Sequence, residues 1–100
     1  MNASERAALE WALESDLPYQ GLRDARPDPN LLLYLPAAVA RGSEVVPLSL
    51  KDNVLELACA RPDPDLDALR ARFPRLALDL CISPDDEIRH VLTGMRERAR

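Results

Sequence analysis

Val45-Val46-Pro47-Leu48-Ser49-Leu50, then Lys51-Asp52-Asn53, then Val54-Leu55-Glu56-Leu57-Ala58-Cys59-Ala60 is the stretch that decides the fold. Each flank alternates with period two, the signature of a strand with unlike faces. Val46, Leu48 and Leu50 fall on one side of the first strand; Leu55, Leu57 and Cys59 fall on one side of the second. The three residues between them carry turn chemistry, so the pair closes as an antiparallel hairpin. Pro47 lacks a backbone donor and is tolerated only at a sheet edge or a bulge. The first strand is therefore expected outside and the second inside.

A third strand follows from Leu76, Leu78, Leu80 and Ile82, which alternate with Ala77, Asp79 and Cys81. Between the second and third strands, Asp63-Pro64-Asp65 caps a helix running to about Arg72, with Leu66, Leu69 and Phe73 spaced by three and four. Pro74 ends it. A strand reached through a helix pairs in parallel by a right-handed crossover. The expected architecture is α+β: a three-stranded mixed sheet, an antiparallel hairpin plus one parallel strand, with helices packed on one face and an N-terminal helix. Leu55, Leu57, Leu78 and Leu80 share the buried side. Ser49, Glu56, Ala58, Asp79 and Cys81 make the other side, suited to water or a polar partner.

The flanks add helices. Ser4 to about Glu14 is rich in Ala, Leu and Glu, opens on Ser4 and spaces Leu9 and Leu13 by one turn. Trp11 lies between these leucines, either a lid over the core or an exposed anchor for a partner. Pro18 and Gly21 break the helix into an extended connector. Arg23 to Asn30 is a surface loop ending with Asp28 as cap of a short helical run, Asn30–Tyr34. Pro36 begins another turn of helix through Ala40 or Arg41, with Gly42 as terminator. Ser83-Pro84-Asp85-Asp86-Glu87 is a helix start with serine as cap, and Ile88, Val91, Leu92 and Met95 form one apolar stripe. Gly94 closes this helix early and leaves Arg96, Arg98 and Arg100 as a loose tail.

At 100 residues this is one domain, able to bury roughly 60–70% of its unfolded surface. Only 4% of residues are aromatic, so the core is aliphatic. The net charge of -4 opposes general attraction to nucleic acid or anionic membranes. Twelve of the 13 cations are arginines, whose expected use is pairing with the 17 acids on a solvated surface. No apolar run approaches the ~18 residues of a membrane span, and no secretory signal opens the chain. Cys59 and Cys81 are too few and too far apart for a disulfide framework or zinc site, and they point to opposite sheet faces. A cytoplasmic chain with reduced thiols is expected.

The chemistry of catalysis is not assembled. Glycine stands only at Gly21, Gly42 and Gly94, so no glycine-rich loop cradles phosphates. His90 is the sole histidine, beside Asp86 and Glu87 on the last helix. Asp63, Asp65 and Asp67, like Asp85, Asp86 and Glu87, sit at helix starts, where capping and the helix dipole account for them. The first set also lacks the glycine and the closing glutamate of a calcium loop. No catalytic residue, cofactor or metal is expected, and the chain reads as no enzyme.

Leu35-Pro36-Ala37-Ala38-Val39-Ala40, Val46-Pro47-Leu48, Val54 to Ala58, Ala60-Arg61-Pro62, Asp65 to Leu69 and Ser83 to Ile88 follow one another in a recognisable order. From Leu17 to Val91 that order resembles the N-terminal domain of type II secretion and type IV pilus assembly ATPases, the general secretion pathway protein E family. The family-motif positions are Leu35, Pro36, Ala40, Pro47, Leu48 and Pro62. The resemblance divides the chain into an N-terminal helix (1–16), a family-like domain (17–95) and a tail (96–100).

In such ATPases, the resemblance implies, this domain tethers the motor to the cytoplasmic part of an inner-membrane platform protein. Related copies are appended to membrane glycosyltransferases. The expected role is a non-enzymatic docking module of a bacterial secretion, pilus or envelope-associated assembly, cytoplasmic and held peripherally at the inner membrane through a partner. The edge strand around Pro47 and the exposed parts of the first and last helices are its expected contact surfaces. Some copies bind cyclic di-GMP through an Arg-Leu-Gly segment, which is not present in this chain. The competing expectation is therefore a nucleotide sensor that holds phosphates with Arg23, Arg26 and Arg41 around the Leu-Pro helix.

Overall fold

The hairpin forms as its alternation requires. In the computed structural model, which describes residues 1–42 and 44–99 and the side chains of all of these but 40–42, β1 spans Val45–Lys51 and β2 spans Val54–Cys59. They pair antiparallel around Asp52 and Asn53, whose φ values of 53° and 63° are those a two-residue type I′ turn demands. Asp and Asn reach that left-handed region at lower cost than other side chains, which is why the turn falls there. β3, Ala77–Ile82, pairs parallel with β2 from Val54↔Ala77 to Cys59↔Ile82, and the strand order is β1-β2-β3.

Pro47 lies on an edge strand and at a bulge. The register jumps from Pro47↔Leu57 to Ser49↔Glu56, leaving Leu48 as the extra residue. The bulge changes the faces expected for β1. Val46 and Leu48 pack on one side, while Leu50, beyond the bulge, packs on the other with Leu55 and Leu57. An inserted residue shifts the period-two count, which alternation alone does not register.

Two cores result. The first joins Val45, Leu55, Leu57, Cys59 and Ile82 to Ala8 and Ala12 of α1 (Ala3–Ser15), Val39 of α2 (Ala37–Gly42), and Leu69 of α3 (Asp67–Arg72) with its preceding Leu66. Leu78 and Leu80, half-buried, join the same side as expected. The second core places Val46, Ala58 and Cys81 against Ile88, Val91, Leu92 and Met95 of α4 (Asp85–Arg98) and against Leu22. The α+β class, the mixed sheet and the N-terminal helix stand as expected; the placing of all helices on one face does not. Ala58 and Cys81 are small enough for α4 to lie directly on the second face, so they are buried rather than open to water. Ser49 and Asp79 do remain exposed on that face.

Several helix boundaries differ from the expectation. α1 opens on Asn2, not Ser4: the Asn2 side chain accepts from the Glu5 amide at 2.8 Å, and Glu5 accepts from the Asn2 amide at 3.3 Å. This reciprocal capping box outranks a lone serine. α1 buries Ala8 and Ala12, not Leu9 and Leu13, and leaves Leu13 83% exposed, because small side chains let the helix backbone settle close to the sheet. Asp28 caps its helical run as expected, accepting from the Asn30 amide at 2.9 Å; the run is a 3₁₀ helix, Pro29–Tyr34. α3 begins at Asp67, and Asp65 accepts from its amide at 3.1 Å. α4 continues past Gly94 to Arg98, since the burial of Met95 outweighs the cost of one glycine.

A sharp contrast in stability follows. Leu57→Ala, at a fully buried position of β2, is expected to cost about 3 kcal/mol. Leu13→Ala is expected to stay within about 0.5 kcal/mol. Urea denaturation of both variants checks the two helix and strand registers together.

Candidate interaction surface

Ile82 to Glu87 ties the N-terminal third of the chain to the sheet. The Ile82 amide donates to Pro18 O at 2.8 Å and the Gln20 amide to Ile82 O at 2.9 Å, so the extended connector after α1 adds a short parallel bridge to the end of β3. Ser83 was the expected cap of α4. It is instead buried and donates its hydroxyl to Gln20 O at 2.6 Å, while Pro84 takes the N-cap position. Glu87, in the first turn of α4, accepts the Leu22 amide at 2.7 Å. Asp85 is held below the usual carboxylate range chiefly by a hydrogen bond from the Ser4 hydroxyl, opposed by partial burial and helped by the Asp86 amide and Arg89. α1, the connector and α4 are thus one unit.

The candidate anion-binding arginines occupy different places. Arg23 lies 3.2 Å from Glu5 and 3.8 Å from Glu87, so two carboxylates compete with any phosphate for it. Its surroundings push Tyr19 upward, first by burial and then by the charges of Glu87 and Glu5. Arg26 lines a separate cleft of about 290 Å³ with Leu48 and Glu56. The side chain of Arg41 lies outside the described residues. Among the described residues, no group of three or more His, Cys, Asp or Glu is arranged to hold a metal. Cys59 and Cys81 are free and lie in opposite cores, as expected. Burial pushes their thiols up to about 12 and about 11.

The family-motif positions serve packing. Leu35 touches both cores, Leu48 packs against the second, and Pro62 is half-buried in the loop after β2. Pro36 precedes α2, and Ala40 lies within it. Pro47 is itself fully buried, while Leu48 is half-buried and Ser49 exposed on the same edge strand.

A further concavity lies elsewhere. A groove of about 640 Å³ runs between α1, the loop after β2 and the start of α4. Ala7, Ala8, Ala60 and Pro64 give it apolar walls, and Trp11, 37% exposed, stands at its side. Among the described residues, Glu44, Asp63, Asp65 and Asp85 line it against one cation, Arg61. Arg89 reaches Glu44 at 3.1 Å and Asp85 at 3.6 Å. Trp11, for which lid and partner anchor were both expected, is thus partly covered and partly open to the groove. The groove itself was not anticipated, because its walls come from three segments far apart in sequence.

The MshEN domain family matches residues 15–100. This chain is an MshEN domain. The likeness read from the Leu-Pro helix, the Pro-Leu strand and the aspartate-rich cap is therefore a true kinship with the N-terminal domains of type II secretion and type IV pilus ATPases. Solved structures carry the same fold. A structure of MshE with cdg aligns with a TM-score of 0.70 at 21% identity, covering 97% of this chain and 68% of that one. The N-terminal domain of XpsE aligns with a TM-score of 0.73 at 23% identity, covering 90% of this chain and 64% of its own; a second crystal form gives 0.64 at 21%, covering 93% and 67%. This MshEN domain thus spans about two thirds of each aligned structure. No curated protein matches it. No helix among its described residues is long and apolar enough to cross a membrane.

The hydrogen bond at Asp85 generates a pH prediction for this MshEN domain. Its folded carboxyl lies below the ordinary value of 3.8, so its stabilisation is present above that value and lost as pH falls through the folded one. Asp85→Asn is expected to lower the urea midpoint slightly at pH 7 and to shrink its fall between pH 5 and pH 3, measured against wild type.

Proposed function

We propose that this MshEN domain is a non-enzymatic docking module of a secretion, pilus or envelope-associated assembly. Its partner is a protein: the cytoplasmic part of an inner-membrane platform protein, or an associated ATPase or glycosyltransferase. In that role it is cytoplasmic and reaches the inner membrane only through the partner. The observation that carries the reading is the groove beside α1, a concave surface with an exposed tryptophan on a scaffold whose helices are locked to the sheet. Partly exposed aromatics in such settings act as anchors, because they bury a large area at low entropic cost.

One observation favours a second reading, a cyclic di-GMP sensor: the aligned MshE structure is described with cdg. Charge weighs against it here. A cyclic dinucleotide carries two phosphates, whereas the groove beside α1 is acidic and Arg23 is engaged by Glu5 and Glu87. Arg26 alone is a weak anion site in water.

Two measurements decide between the readings. Biolayer interferometry with the cytoplasmic region of an inner-membrane platform protein from the same cell is expected to give saturable binding. Calorimetry with cyclic di-GMP is expected to give no saturable heat in the micromolar range. The reverse pair of results transfers the function to nucleotide sensing.

A further inference from the structure

The groove beside α1 carries a chemistry more specific than docking in general. Its volume of about 640 Å³ falls in the range of roughly 300–1,000 Å³ typical of binding pockets, enough for several side chains. The four acids that line it are not equivalent. Glu44 and Asp85 share Arg89, and Asp85 is further held by Ser4. Asp63 and Asp65 are exposed, and among the described residues neither is ion-paired. Asp65 spends one oxygen on the Asp67 amide at 3.1 Å, which orients its carboxylate without neutralising it.

Trp11 supplies the complementary surface. The indole face attracts cations, most strongly when they are partly desolvated. Ala7, Ala8, Ala60 and Pro64 offer short apolar walls against which the methylene stem of arginine or lysine lies while its head reaches a carboxylate. Unpaired carboxylates, an aromatic face and apolar walls in one concavity are complementary to a cationic, partly apolar chain. They repel nucleic acid and anionic lipid alike.

We propose that this groove receives an extended basic segment of the partner protein, with arginine or lysine held by Asp63 and Asp65 and stacked on Trp11. The proposal rests on the docking reading and names its surface and its partner's chemistry. Arg61 on the groove's wall repels a basic chain, but four lining carboxylates outnumber it, so the net preference is for cations.

Trp11 is the sole tryptophan, so intrinsic fluorescence reports on the groove directly. The probe is acetylated, amidated hexaarginine. The expected result is a saturable change in emission whose Kd weakens about tenfold or more in the Asp63→Asn/Asp65→Asn double variant. Asn at 65 keeps the oxygen that accepts the Asp67 amide, and Asp63→Asn alone serves should the double variant fold poorly. Glu97→Gln, on α4 about three turns beyond Asp85 and outside the groove, is expected to bind as wild type. No saturable change, equal weakening by Glu97→Gln, or no weakening in the Asp63 and Asp65 variants overturns the proposal. The platform-protein measurement separates the two levels: equal binding to wild type and the double variant keeps docking and sinks the groove, while no binding to either sinks docking and leaves the peptide titration to judge the groove.

Discussion

The burial of β2 on both faces is the constraint on which the rest of this MshEN domain depends. Leu55, Leu57 and Cys59 on one side and Ala58 on the other are all removed from water. A central strand with two dry faces needs partners along both edges and a layer above and below. Pro47 forces β1 to an edge, β3 fills the opposite edge through the α3 crossover, and α4 covers the second face. The sizes of the side chains set the distances. Alanine and cysteine under α4 let that helix sit close, while leucines under α1, α2 and α3 fill a deeper layer.

A second constraint fixes how the N-terminal third attaches. Backbone pairing of Pro18 and Gln20 with Ile82, the Ser83 hydroxyl on Gln20, and Glu87 on the Leu22 amide join α1, the connector and α4 into one unit. These bonds satisfy the outer edge of β3 at Ile82 and the amides of Gln20 and Leu22 in the connector. Their consequence is functional: α1 cannot drift from α4, so the walls of the groove between them hold a fixed spacing. A binding surface built from preorganised elements loses little entropy on association.

Electrostatics then select what such a surface accepts. The arginines of this chain are numerous, but Arg23 at the connector and Arg89 beside the groove face carboxylates of the same molecule. The anions left over, Asp63 and Asp65, give the groove its sign. The family likeness alone would point equally to a protein partner or a nucleotide, and the distribution of paired and unpaired charge favours the protein.

Much of this was legible in the sequence because the signals are local. Alternation over Leu55 to Cys59 and Leu76 to Ile82, the Asp-Asn turn, the proline at the edge and the stripe from Ile88 to Met95 each act within one element, where neighbouring residues dictate backbone geometry. Other features had only tertiary causes. The bulge at Leu48 reversed the face of Leu50, Ala8 and Ala12 replaced Leu9 and Leu13 as the buried side of α1, and Ser83 left its cap to bind Gln20, because each choice depends on the shape of a surface that no single segment contains. The same holds for the groove: the sequence by itself determined the strands, the helices and the family, but only packing decided that Trp11, Asp63 and Asp85, distant along the chain, line one cleft, since that proximity arises when α1 and α4 are both anchored to the end of β3.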